Sequence, residues 1–204
     1  MGRRKLDEQE VAEFRAKLMD QALILFAKHG YRDVSIRAIA LATGCSAMTP
    51  YRYFENKEAI FDACRARAFE RFAEFHEQIV EAHPHPVERI NALGQGYADY
   101  AAAHTDAFRL MFELDQPSEP SNHLTLMGNR AFDTLRNSVR DAVQQGYLKG
   151  EPEKLAHLFW ATIHGIVVLD LTNKLTYGID KHALLESFFE GEFTSARNTP
   201  EDSK

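Results

Sequence analysis

At 204 residues, 45% of them hydrophobic and 26% charged, the chain is long enough for one sizeable core plus a satellite domain, and its composition excludes a disordered or fibrous class. Acidic residues outnumber basic ones by 30 to 24, yet residues 1–57 hold ten Lys/Arg against seven Asp/Glu (+3), leaving fourteen against twenty-three (−9) in the rest. That asymmetry suits a small head facing phosphate on a body that does not. No run reaches the roughly 18 apolar residues of a membrane span, no apolar signal core follows the charged start, and Cys45 and Cys64 have neither disulfide-framework nor metal spacing. A cytoplasmic chain with free thiols, no cofactor and no membrane partner is the expectation.

In chain order, nearly every segment between breakers has helical periodicity, so an all-α fold of about nine helices is expected. Apolar residues at Val11, Phe14, Leu18, Ala22, Leu25 and Phe26 mark a helix over 8–29, stopped by Gly30. Ser35 caps a short second helix that buries Ile36, Ile39 and Ala40 before Thr43-Gly44 turns the chain. A third helix is expected from Ser46 to Phe54. Asn56 caps a long one over 57–82, about 39 Å at 1.5 Å per residue. The prolines of His83-Pro84-His85-Pro86 break it. Further helices are expected over 87–104, 106–114, 121–145, 153–177 and 180–195, with a disordered tail over 198–204. The expected domains are a basic, phosphate-facing head over 1–57 and a helical body over 58–197.

The chemistry concentrates between Ala22 and Glu58: Leu25-Phe26…Gly30-Tyr31, then Val34-Ser35-Ile36-Arg37-Ala38-Ile39-Ala40, then Thr43-Gly44-Cys45-Ser46, then Tyr51-Arg52-Tyr53-Phe54 and Lys57-Glu58. Two short helices joined across a glycine are what a helix-turn-helix requires, and its second helix can lie in the major groove. These residues resemble the tetracycline-repressor (TetR) family over about positions 10–65. The sequence departs from the family pattern at Val34, Cys45 and Pro50, where Thr, Val and Leu are usual. Pro50 allows two starts for the recognition helix: Ser46 as N-cap, or Thr49 as N-cap with Pro50 in the first helical position.

The resemblance implies a homodimer on near-palindromic operator DNA, with DNA-facing residues Ser35, Arg37, Ala47, Met48, Thr49, Tyr51, Arg52, Tyr53 and Lys57. Arg37 suits a bidentate contact to guanine. Ala47 and Met48 suit thymine methyls or sugars, and Thr49 a base or a phosphate. Tyr51, Arg52, Tyr53 and Lys57 suit phosphate oxygens. Arg3, Arg4 and Lys5 resemble arms that enter a minor groove.

Further on, Trp160, His164 and Gly165 resemble the signature of the WHG class of TetR C-terminal domains. The resemblance implies a small apolar effector held by Tyr97, Phe108, Met111, Phe112, Phe132, Trp160 and His164. It also implies a dimer face of Ile163, Ile166, Val167, Leu171, Leu184, Leu185 and Phe188. Nine histidines raise the alternative of an enzyme or a metal site, but no HExxH, cysteine pair or phosphate-loop pattern accompanies them. A helical interaction module without an operator is the other alternative. An effector-responsive repressor, not an enzyme, is the expected function.

Overall fold

The computed structural model describes residues 8–112 and 119–197. Among them all regular structure is helical: α1 Glu8–Asp33, α2 Ile36–Thr43, a 3-10 turn Pro50–Arg52, α3 Lys57–Ala82, α4 Pro86–Ala103, α5 Thr105–Met111, α6 Asn122–Gln144, α7 Pro152–Leu171 and α8 Lys181–Arg197. The chain divides into two compact units, Met1–Phe69 with Asp106–Met127, and Glu70–Thr105 with Gly128–Lys204. The expected division after Lys57 falls inside the first unit, because the first half of α3 completes that unit's core. The basic arm and the tail lie outside the described residues.

In the first unit, Leu18, Ala22 and Phe26 of α1, Ile39 of α2 and Ile60, Phe61 and Cys64 of α3 close on one another with Phe54 and Leu110. The Phe61 ring stands edge-on to Phe26 with centroids 5.0 Å apart, and Tyr31 lies 4.9 Å from it. Gly30, at φ 77°, breaks the helical run of α1 where a C′ glycine was expected. Arg67 ties α3 back to α1 through the Ala16 carbonyl and Asp20. Within the same unit, Arg65 donates to the carbonyls of Leu110 and Met111 at the end of α5, and Asp62 accepts from the Ser121 N–H ahead of α6.

In the second unit, α4 packs against α7 and α8 around Ile90, Leu93, Phe159, Ile163, Val167, Leu185 and Phe189. Gly94 is what lets α8 approach: a Cβ there would stand 2.3 Å from the Phe189 ring. Pro86 opens α4 in the first helical turn, where its missing N–H costs nothing. The helix expected to reach Tyr177 ends at Leu171. There Thr172 turns its hydroxyl onto the Val168 carbonyl and Asn173 adopts a left-handed φ of 54°, so the Lys174 N–H closes on the Leu169 carbonyl.

Candidate nucleic-acid interface and buried polar cluster

The turn between α2 and the next segment is built by local chemistry. Ser35 caps α2, its hydroxyl accepting from the Ala38 N–H at 3.1 Å. At the other end Gly44 is left-handed (φ 79°), its N–H bonds the Leu41 carbonyl, and the Cys45 N–H bonds that of Ala40. Buried Thr43 satisfies its hydroxyl on the Ile39 carbonyl at 2.8 Å.

The expected third helix from Ser46 to Phe54 is not formed as one α-helix. Pro50 has no N–H to give the Ser46 carbonyl, which bonds the Thr49 N–H instead. Pro50 then opens the 3-10 turn and is itself buried. The Arg52 N–H bonds the Thr49 carbonyl and the Tyr53 N–H that of Pro50, each three residues back, so the turn is wound more tightly than an α-helix, and the Phe54 N–H shares the Pro50 carbonyl. Of the two possible starts, the regular turn begins after Thr49, although the Thr49 side chain makes no capping bond. Its hydroxyl instead lies 2.8 Å from that of Ser46.

Arg37, Ala47, Met48, Tyr51 and Arg52 are exposed, Met48 at 70% and Tyr51 at 50% of their surface. Ser35 is exposed and occupied by its cap. Two expected phosphate donors also have partners within the chain. Tyr53 is half-buried against Phe14 at 5.0 Å. The Lys57 ammonium donates to the carbonyls of Tyr31 (2.9 Å) and Arg32 (3.4 Å) and sits 4.1 Å over the Tyr31 ring. It thereby holds the end of α1, because a cation satisfies the bare carbonyls of a helix C-terminus. Leu41, 81% exposed and one turn beyond Arg37 on α2, was not anticipated. The Arg37 spacing of i,i+4 was the signal that places it on that face.

The residues expected around an effector are divided between the two units. Phe108, Met111 and Phe112 belong to the first unit, where Phe112 stands edge-on to Phe69 at 5.7 Å. Tyr97, Phe132, Trp160 and His164 belong to the second. There the Tyr97 hydroxyl is 2.8 Å from His164 Nδ1 and also meets the Trp160 side chain in a hydrogen bond. The i,i+4 spacing of Trp160 and His164 on α7 brings both to that one hydroxyl. Phe132 packs 5.8 Å from Trp160. Burial pushes the Tyr97 phenol well above its ordinary range and lowers His164 below the usual histidine value.

Sequence reasoning missed His76 of α3, which is 3% exposed amid Phe72, Phe75 and Tyr97. Its Nδ1 donates to the Phe72 carbonyl at 2.9 Å, and its buried Nε2 makes no hydrogen bond of ordinary geometry, with the Leu93 backbone as its polar neighbour. Burial outweighs the carbonyls of Phe72 and Leu93 and pushes the imidazole down to about 4. Histidine on an otherwise apolar helical stripe with Phe72 and Phe75 was the available signal.

Of the residues expected at a dimer face, Ile163, Val167 and Leu185 are fully enclosed by their own chain and cannot meet a second one. Ile166, Leu171, Leu184 and Phe188 are half-buried, Phe188 against Phe159 at 5.3 Å. The apolar surface left on α7 is instead Leu158 (61% exposed), Val168 and Leu169, on the side that also carries Ala161 and Gly165. Among the described residues no group of three or more His, Cys, Asp or Glu could hold a metal.

Residues 18–64 match the family profile described as bacterial regulatory proteins, tetR family, and residues 90–191 match the tetracyclin repressor-like C-terminal domain. The chain is 37% identical over 107 residues to the HTH-type transcriptional repressor ComR of Escherichia coli strain K12, covering 52% of this chain and 45% of that one. It thus spans less than half the length of the curated relatives it matches first. A Rhodococcus sp. RHA1 protein of unknown function superposes with a TM-score of 0.79 at 24% identity, over 89% of this chain and 94% of the other. The transcriptional regulator FadR from Bacillus subtilis, in complex with stearoyl-CoA, superposes with a TM-score of 0.75 at 21% identity, over 88% and 97%. At these identities the two solved structures speak for the fold.

Proposed function

The chain belongs to the tetR family of bacterial regulatory proteins, and from that premise we propose that it is an effector-responsive repressor that binds a near-palindromic operator as a homodimer. The observation that carries this reading is the head's outward face. Its apolar side chains close on a shared core, while Arg37, Ala47, Met48, Tyr51 and Arg52 stand in solvent around one glycine turn. Guanidinium and phenol groups suit base edges and phosphates, and the exposed Met48 suits thymine methyls.

The effector in this reading is a small apolar molecule taken by the second unit, with Tyr97, Trp160 and His164 as its polar anchor and Phe132 as a wall. A mostly apolar lining with a few converging polar groups is the usual design of such sites. FadR from Bacillus subtilis, a relative in fold, was solved in complex with stearoyl-CoA, a molecule with a long apolar chain. For dimerisation the reading uses Leu158, Val168 and Leu169 of α7. Gly165 supports it, since a Cβ there would meet nothing of its own chain within 4 Å, leaving room for a close helix from a second copy. Effector and DNA then oppose each other by one coupling energy, each weakening the other's binding by the same factor.

Footprinting on the DNA flanking the protein's own coding region, repeated at several salt concentrations, tests the proposal. A protected two-fold site whose affinity falls steeply with salt is expected. Absence of any protected site, with the chain folded and dimeric, would leave only the interaction-module alternative.

A further inference from the structure

On α1, Arg15 is exposed, and its guanidinium carbon stands 4.8 Å over the Phe54 ring. Phe54 is 6% exposed and belongs to the head's core, so the ring is a fixed seat. Next to Arg15, Phe14 meets Tyr53 with ring centroids 5.0 Å apart. The early part of α1 therefore lies against the end of the 3-10 turn that carries Tyr51 and Arg52. Stacking on a ring face positions a guanidinium while using none of its N–H donors.

Within the chain those donors find no acceptor: among the described residues Arg15 makes neither a hydrogen bond nor an ion pair. Two acids that flank it on α1 are engaged elsewhere, Glu13 with Gln9 at 3.0 Å and Asp20 with Arg67 at 2.9 Å. Arg65 and Arg67 of the same unit behave differently, since both donate to backbone carbonyls of that unit. An exposed, ring-seated guanidinium beside exposed Arg52 suits phosphate oxygens, which can accept from two of its N–H groups at once. We propose that Arg15 is a phosphate contact of the head, extending the DNA-facing surface from the recognition turn onto α1. It rests on the reading that this face of the head meets DNA, and it adds affinity without reading sequence.

Fluorescence anisotropy of the full chain with two labelled duplexes, the footprinted site and a random sequence, over a series of salt concentrations tests it. Both duplexes present the same phosphates, so Arg15→Gln should weaken binding several-fold on each, by similar factors. It should also flatten the slope of log affinity against log salt by about 0.9 per head in contact. Arg15→Lys keeps the charge and should keep the slope, losing only the affinity that came from the bidentate contact and the ring seat. Both variants should melt close to the native temperature, because the residue is exposed. Unchanged affinity and slope for Arg15→Gln, a loss confined to the footprinted site, or a lowered melting temperature with an unchanged slope would overturn the proposal. So would a native chain that binds neither duplex. Where no site is footprinted, the random duplex carries the test alone: a flattened slope there upholds Arg15 while the operator reading falls.

Discussion

In the first unit the buried polar side chain among the described residues, Thr43, is satisfied by a carbonyl of its own helix. In the second, His76, His85, Arg89, Asn91 and Arg136 each keep a buried side-chain atom with no hydrogen-bond partner. An unpartnered buried polar atom costs about 1–3 kcal/mol, so the difference is a difference of design. The head is a closed, satisfied block whose exposed side chains can act on something rigid outside it.

The largest effect that would sharpen this contrast lies in the head's core. Phe61→Ala removes the ring that Phe26 and Tyr31 pack against and should cost about 3–5 kcal/mol in urea unfolding. A loss under about 1 kcal/mol would mean the head is loosely packed and the contrast is wrong. Next comes the pH dependence of the body. The folded chain depresses His76 from 6.5 to about 4, so between those values the unfolded chain binds the proton and the folded one does not. The stability from keeping His76 neutral is therefore whole above pH 6.5 and is lost as pH falls toward 4, about 3 kcal/mol in all. Unfolding of His76→Gln should show a flatter pH profile across that window. An identical slope would contradict burial of a neutral imidazole.

Smaller effects return to the head. Arg37→Ala should relax preference at one base pair per half-site by about 1–3 kcal/mol, read by competition between operator variants. A loss equal for all sequences would move Arg37 to the phosphates. Ser35→Ala should cost about 1 kcal/mol of stability through the lost cap on α2, seen as a small drop in the denaturation midpoint.

What was legible in the sequence is what local chemistry decides. Ser35, Gly44 and Asn56 act on backbone groups two to four residues away, and each does in the structure what its type and place imply. Pro50 was legible as a conflict but not in its outcome, because whether the chain winds as α-helix or 3-10 turn depends on the core that swallows the ring. The partners of Lys57 and Tyr53 within the chain were not legible for a related reason. Nothing near them in the chain reveals that Tyr31, twenty-six residues earlier, supplies both a carbonyl and a ring to Lys57, or that Phe14 covers Tyr53. On α7 the helix is apolar nearly all round, so periodicity alone could not say which side turns inward. Ile163 and Val167 went to the core, and Leu158, Val168 and Leu169 to the surface. His76 escaped notice because a lone histidine carries no motif, and only burial reveals its bare nitrogen.

The central claim is that the head's exposed face, Tyr51 included, grips DNA while its packed interior only supports that face. Fluorescence anisotropy with a labelled fragment bearing the footprinted site, comparing the native chain with Tyr51→Ala, tests it most directly. The ring is half exposed, so the variant should keep its melting temperature and lose roughly tenfold in affinity, the scale of one lost hydrogen bond to a charged group. Unchanged affinity at an unchanged melting temperature would contradict the account.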